Sequence, residues 1–255
     1  MKSIKKVNLT RLSTRGLVRK TDLVAAEEAV VIYVNEKPIV SLFCTPDALR
    51  DLAAGFLFAS GILRDKDDVP AAVIEVKKKA VFVKVDRSLA EESHLRVGSG
   101  CGGSLDFGPM GLIAPLKTKL KVSADMIFPL IKEFQERAVI FKETGGAHCA
   151  AICSPEEILF FAEDIGRHNA ADKVIGQALL KEIPLEDKLL LLSGRIAFDI
   201  AVKAARGGIS ICISRAAPTS AALEFGERIG LVIIGFVRGK RMNIYTHTEL
   251  SLIHI

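Results

Sequence analysis

Tryptophan is absent from this chain of 255 residues, and tyrosine occurs only twice. That thins the supply of flat side chains on which bases and sugars stack, so a nucleic-acid partner of the single-strand type is not expected. No apolar run reaches the roughly 18 residues that a membrane span needs, so no membrane partner is expected either. The opening MKSIKKVNLTRLSTRG carries charge with no apolar stretch behind it, unlike a secretory leader, and the expectation is a cytoplasmic protein. Cysteine is scarce and odd in number. The five residues Cys44, Cys101, Cys149, Cys153 and Cys212 are irregularly spaced, which argues against a disulfide framework and for free thiols in a reducing compartment. Tandem repeats and low-complexity segments are also missing.

What is present is the balance of a soluble globular protein, 49% apolar and 25% charged. The net charge of +5 is a modest excess that a solvated surface accounts for. Its distribution says more. Arg195, Arg215, Arg238 and Arg241 recur near predicted loop and strand ends, and guanidinium forks match phosphate geometry. An anionic ligand is the secondary expectation.

Three stretches of different character follow one another. Residues 1–20 are basic and weakly patterned, and read as a partly ordered arm. Residues 21–122 read as an α+β domain. In it AVVIYVNEKPIVSLFC is a hairpin turning at NEKP, and TPDALRDLAAGFLFASGIL is a helix with Thr45 as cap, Pro46 in its first turn and Gly61 at its end. AAVIEVKKKAVFVKVD forms two short alternating runs around a solvated lysine tip. Residues 93–116 have no period and hold six glycines, and so long a loop is functional or disordered. From Ser123 to residue 255 the chain reads as α/β. A helix bent or started by Pro129 leads into the strands AHCAAIC and ILFFAED, after which helices alternate with apolar strands. That alternation predicts a largely parallel sheet covered on both faces.

Chemistry concentrates in a few strings. Cys101 lies in GSGCGGS, where consecutive backbone N–H groups can form a nest for an anionic sulfur and glycines admit a large partner. It is a nucleophile or sulfur carrier, or a chance cysteine in a loop. His148, Cys149 and Cys153 in HCAAIC tempt a metal reading. On a strand, however, the two sulfurs stand about 13 Å apart along the chain, too far to share one ion. Buried, inert thiols suit Cys44, Cys149, Cys153 and Cys212 better. EDIGRHNAADKVIG sets His168 and Asp172, and Asn169 and Lys173, four apart on one helix. It is either a ligand site at a strand-to-helix junction or a capped helix with surface ion pairs. LLLLSGR and ISRAAPTS end successive strands with Ser193, Gly194, Arg195, Ser214 and Arg215, which can form a phosphate-accepting edge. Phe236, Val237, Arg238, Gly239, Lys240 and Arg241 form FVRGKR, either a polar hairpin tip or a contact for a diphosphate.

These strings in this order resemble the FdhD family of formate dehydrogenase accessory sulfurtransferases. The matching pieces span roughly residues 20 to 248, among them TGGAHCAAI, EDIGRHNAADKVIG, SGRIAFDIAVKAARGGI and GFVRGKRMNIYTH. The resemblance implies a cytidine-deaminase-like three-layer α/β/α mixed sheet for residues 123–255, without the zinc site, beside the smaller N-terminal α+β domain. It implies a persulfide carrier that takes sulfur from a cysteine desulfurase. The sulfur goes to the molybdenum cofactor in its bis(molybdopterin guanine dinucleotide) form before formate dehydrogenase takes that cofactor up. No tightly bound metal of the chain's own is implied, and a homodimer is. Cys101 is then the persulfide cysteine. Phe236, Val237, Arg238, Gly239, Lys240 and Arg241 become cofactor contacts, with Arg195, His168 and Arg215 as further candidates. One departure matters: the family's second loop cysteine is here Ser104, which cannot resolve a persulfide. Either Cys101 acts alone, or the protein is a binding chaperone that delivers the cofactor without sulfur chemistry. A small-molecule hydrolase on the same fold is a weaker third reading.

Overall fold

The structure is a computed structural model that describes residues 3–85, 113–116 and 120–248. It opens with an antiparallel ribbon of β1 (Ile4–Ser13) and β2 (Gly16–Ala25), paired in register from Ile4–Ala25 to Ser13–Gly16. This corrects the partly ordered arm expected for residues 1–20. The sequence pattern is weak there because nearly every position of both strands faces solvent, and no buried face enforces a period of two.

A hairpin of β3 (Glu28–Val34) and β4 (Lys37–Cys44) follows. Its turn residues Asn35 and Glu36 both have positive φ, 46° and 67°, the left-handed pair that two-residue hairpin loops favour. With β5 (Val73–Lys77) and β6 (Ala80–Lys84) it makes a four-stranded sheet in the order β4–β3–β6–β5. Helix α1 (Leu49–Ala59) packs beside this sheet, and the single turn α2 (Asp68–Ala71) leads back into it. Thr45 does not cap α1, which starts at Leu49 behind Ala48 in the left-handed conformation. The hydroxyl of Thr45 is spent in a buried network described below. Gly61 does end the helix, at φ 79°.

Beyond residue 120, α3 (Ala124–Arg137) runs unbroken through Pro129. The proline sits on the exposed face with Asp125, whose carbonyl loses its intrahelical partner where water can replace it. The short helix α4 (Val139–Thr144) precedes β7 (His148–Cys153) and β8 (Ile158–Asp164). Then come α5 (Arg167–Leu180), β9 (Leu189–Leu192), α6 (Phe198–Arg206), β10 (Ile211–Ser214), α7 (Ser220–Ile229), β11 (Val232–Arg238) and β12 (Arg241–Ile244). The sheet order is β12–β11–β10–β9–β7–β8. Only β9, β10 and β11 run parallel; both flanks are antiparallel hairpins. The largely parallel sheet predicted from the alternation is therefore a mixed one. The short turns at Ser154–Glu157 and Gly239–Lys240 are too brief for a crossover and force the edges to reverse.

Alternate strand residues feed two cores. Ala150, Ile152, Leu190, Leu192, Cys212 and Ile233 face α5, α6, α7 and, through α1, the four-stranded sheet. Cys149, Ala151, Cys153, Leu189, Leu191 and Ile213 face α3. Helices α1 and α5 cross at two glycines. A Cβ on Gly55 would run into the carbonyl of Asp172, and one on Gly176 into that of Asp51. The N-terminal helix is thus seated on α5, the helix that follows β8 of the large sheet. No helix among the described residues is long and apolar enough to cross a membrane.

Candidate functional site

Strands β9, β10 and β11 end along one edge of the large sheet, and antiparallel β7 begins there opposite the end of β8, with His148 paired to Asp164. Ser193 follows β9 and is laced to β7. Its N–H donates to the Cys149 carbonyl at 3.0 Å, and its Oγ accepts from the Cys149 N–H at 2.9 Å. His148 Nδ1 lies 3.4 Å from the same oxygen. Ser214 bridges the next loop, its hydroxyl reaching the carbonyls of Leu192 and Gly194 at 3.1 and 2.6 Å. The β10 loop then meets β11, where Arg238 Nε donates to the Arg215 carbonyl at 3.3 Å and the Phe236 N–H to that of Ala216.

Cations collect on this edge. Arg167, the first residue of α5, packs its Cβ and Cδ where a side chain on Gly194 would stand. Burial, then the charges of Arg167, His168 and Arg195, hold His148 below its ordinary pKa. Buried Nε atoms of Arg167 and Arg215 have no hydrogen-bond partner among the described residues, and no carboxylate there pairs with Arg167, Arg195 or Arg215. A cavity of about 400 Å³ opens between this edge and α3–α4, walled by Phe134, Phe141, His148, Cys149, Ser193 and Arg215. Arg215, whose buried Nε has no partner among the described residues, beside a cavity at strand carboxyl ends suits a ligand with phosphates or another anion.

Not every expected residue lands the same way. Arg215 and Arg195 are on the edge. His168 is there too, but it is buried, with Nε2 2.5 Å from Asp199 of α6. Arg238, Gly239, Lys240 and Arg241 are exposed at the β11–β12 turn. Phe236 is held at φ 53° with its ring outward and Arg238 over its face, while Val237 turns its side chain into the core. Cys101 and Ser104 lie outside the described residues. Nothing in the sequence marks Arg167 and His148 as anion contacts beyond their place at a helix start and a strand start.

EDIGRHNAADK is a buried brace, which corrects the reading of surface ion pairs. Lys173 reaches Asp164 at 2.8 Å, Asp47 at 2.6 Å and the Thr45 hydroxyl at 2.7 Å. Asp164 also accepts from the Thr45 N–H and hydroxyl, the Gly166 N–H and the Asn169 amide. Asp172 pairs with Lys203 of α6 at 2.5 and 2.6 Å, both buried. The intrahelical partners expected at i+4 are replaced by partners on β4, β8 and α6.

The remaining thiols are shut away. Cys44, Cys149, Cys153 and Cys212 are buried, and burial pushes each up to about 12. For Cys149 the Glu163 carboxylate adds to this, 3.7 Å from the sulfur and itself fixed by the N–H groups of Ile140 and Phe141.

The model of the FdhD/NarQ family matches residues 25–251. The chain belongs to the FdhD/NarQ family. Among its relatives, the Sulfur carrier protein FdhD of Bacillus pumilus is 38% identical over 237 residues, covering 90% of each chain. That of Halalkalibacterium halodurans is 37% identical over 250 residues, covering 94% of this chain and 93% of the relative. A crystal structure of a protein described as a formate dehydrogenase accessory protein, from Desulfotalea psychrophila, superposes with a TM-score of 0.82 at 25% identity, over 98% of this chain and 100% of the other. In this FdhD/NarQ member, the family-implied FVRGKR contacts and the β9 and β10 loops adjoin along one edge.

Proposed function

We propose that this chain is a sulfur carrier that serves formate dehydrogenase. It takes sulfur from a cysteine desulfurase on Cys101 and passes it to the molybdenum cofactor, in its guanine dinucleotide form, as cargo. The observation that carries the reading is the burial of the four described cysteines, out of five in the sequence. Four are buried with their thiols pushed up to about 12, so thiolate chemistry near neutral pH is left to Cys101. Its thiolate would attack the outer sulfur of the donor's persulfide. The donor cysteine leaves as thiolate, and Cys101 keeps the transferred sulfur as Cys101–S–SH. The guanidiniums of Arg195 and Arg215, the latter with a buried Nε that has no hydrogen-bond partner among the described residues, would hold the cargo's diphosphates together with Arg238 and Arg241, and the outward ring of Phe236 offers a face to the guanine.

Ser104 favours a second reading, a chaperone that binds and delivers the cofactor without carrying sulfur. The test is to incubate the protein with desulfurase and cysteine and weigh the Cys101 peptide. One added sulfur atom on wild type and none on Cys101→Ala supports the carrier. No gain on wild type, with Cys101→Ala still supporting formate dehydrogenase activity, supports the chaperone. Ser104→Cys shows whether the missing second thiol limits transfer.

A further inference from the structure

The β1–β2 ribbon is a sheet of two strands, and nearly all of its side chains are exposed. Two-stranded ribbons are marginal in water and leave both outer edges open for pairing. At its tip Leu12 and Leu17 stand opposite each other, 76% and 69% exposed, with Arg11, Arg15 and Arg19 around them. Residues 4–25 contain six lysines and arginines against the single Asp22. The ribbon therefore carries +5, the charge of the whole chain. The remaining residues hold 29 cations and 29 anions and balance.

We propose that the ribbon is a docking arm for a partner protein that presents an acidic cleft with an apolar floor. The Leu12–Leu17 pair would seat on the floor and the flanking arginines on the rim. A second copy of this chain fits less well, because what lies outside the ribbon is neutral overall. A lipid surface also fits less well. Lys5, Arg11 and Lys20 point to one face of the ribbon and Lys6 and Arg19 to the other, as the strand register requires, whereas a flat bilayer meets one face. Phosphate alone gives no role to two exposed leucines.

The experiment rests on the proposed function for its probes, the purified cysteine desulfurase and formate dehydrogenase. Binding of each to wild type, to R11E/R15E/R19E and to L12S/L17S is measured by biolayer interferometry at 50 and 300 mM salt. Light scattering and binding to anionic phosphatidylserine vesicles are run alongside, and circular dichroism confirms that each variant is folded. We expect at least one of the two proteins to bind wild type, to weaken at high salt, and to lose tenfold or more with either variant. Unchanged affinity with both variants, or no binding of either protein to wild type, overturns the proposal. So does a loss confined to vesicle binding, or to self-association. Persulfide formation on Cys101 of wild type at saturating desulfurase is read separately. Its presence alongside ribbon-independent binding rejects the arm and leaves the carrier standing, and its absence rejects the carrier role by itself.

Discussion

The Lys173 ammonium lies 2.8 Å from the Asp164 carboxylate, and neither side chain is exposed to solvent. The pair joins the first turns of α5 to the end of β8 and, through Thr45, to the end of β4. Removing one member of such a pair strands the other charge in the interior, which costs about 3–5 kcal/mol. Lys173→Met should therefore lower the unfolding free energy by that amount in urea titration. A loss below about 1 kcal/mol would mean that Thr45, Gly166 and Asn169 hold Asp164 without it.

The crossing of α1 and α5 gives a second prediction. Gly176→Ala drives a methyl group into the Asp51 backbone, and overpacking of this kind costs about 1–3 kcal/mol. An alanine gains helix propensity at the same site, worth about 1 kcal/mol. We expect a net loss, seen as a lower melting temperature. A higher one would show that the two helices separate freely.

His148 is held below its ordinary pKa of 6.5 by burial and by Arg167, His168 and Arg195. The folded protein thus binds this proton less readily than the unfolded chain. Stability from this group is whole above pH 6.5 and falls as pH drops towards the folded value. An NMR titration should place the His148 midpoint below that of a free histidine, and Arg195→Gln should raise it. A midpoint at or above 6.5 would remove the argument for a cationic edge.

If the edge takes phosphates, guanosine diphosphate is a sufficient probe. Arg215→Gln should weaken its binding about tenfold or more by calorimetry, since a hydrogen bond to a charged group is worth about 1.5–3 kcal/mol. Lys79→Gln, on the four-stranded sheet, should leave it unchanged. Equal affinities for all three proteins would place the nucleotide elsewhere.

Local order is legible in the sequence. NEKP gave its hairpin, Gly61 its helix end, and the alternating apolar strands their helices, because turn chemistry and side-chain period act over a few residues. The sequence also put Arg195, Arg215 and Arg238 at strand ends, and they lie along one edge. It misjudged Thr45, a good cap by type, because a buried lysine from α5 competes for its hydroxyl. It misjudged the i, i+4 pairs of α5 for the same reason. A helix pattern does not say whether its polar face meets water or another element.

Composition and period by themselves decided that strands and helices alternate, that the four cysteines on apolar runs would be inert, and that the ribbon residues hold the surplus charge. The family resemblance already implied a mixed sheet; only the tertiary structure decided which strands reverse in it, that Lys173 and Lys203 are buried, and that His148 and Arg167 join the arginines of later strands. Those outcomes depend on contacts between residues more than a hundred positions apart in some cases, Thr45 to Asp164 and Lys173 among them. Such contacts leave no local mark on the chain that makes them.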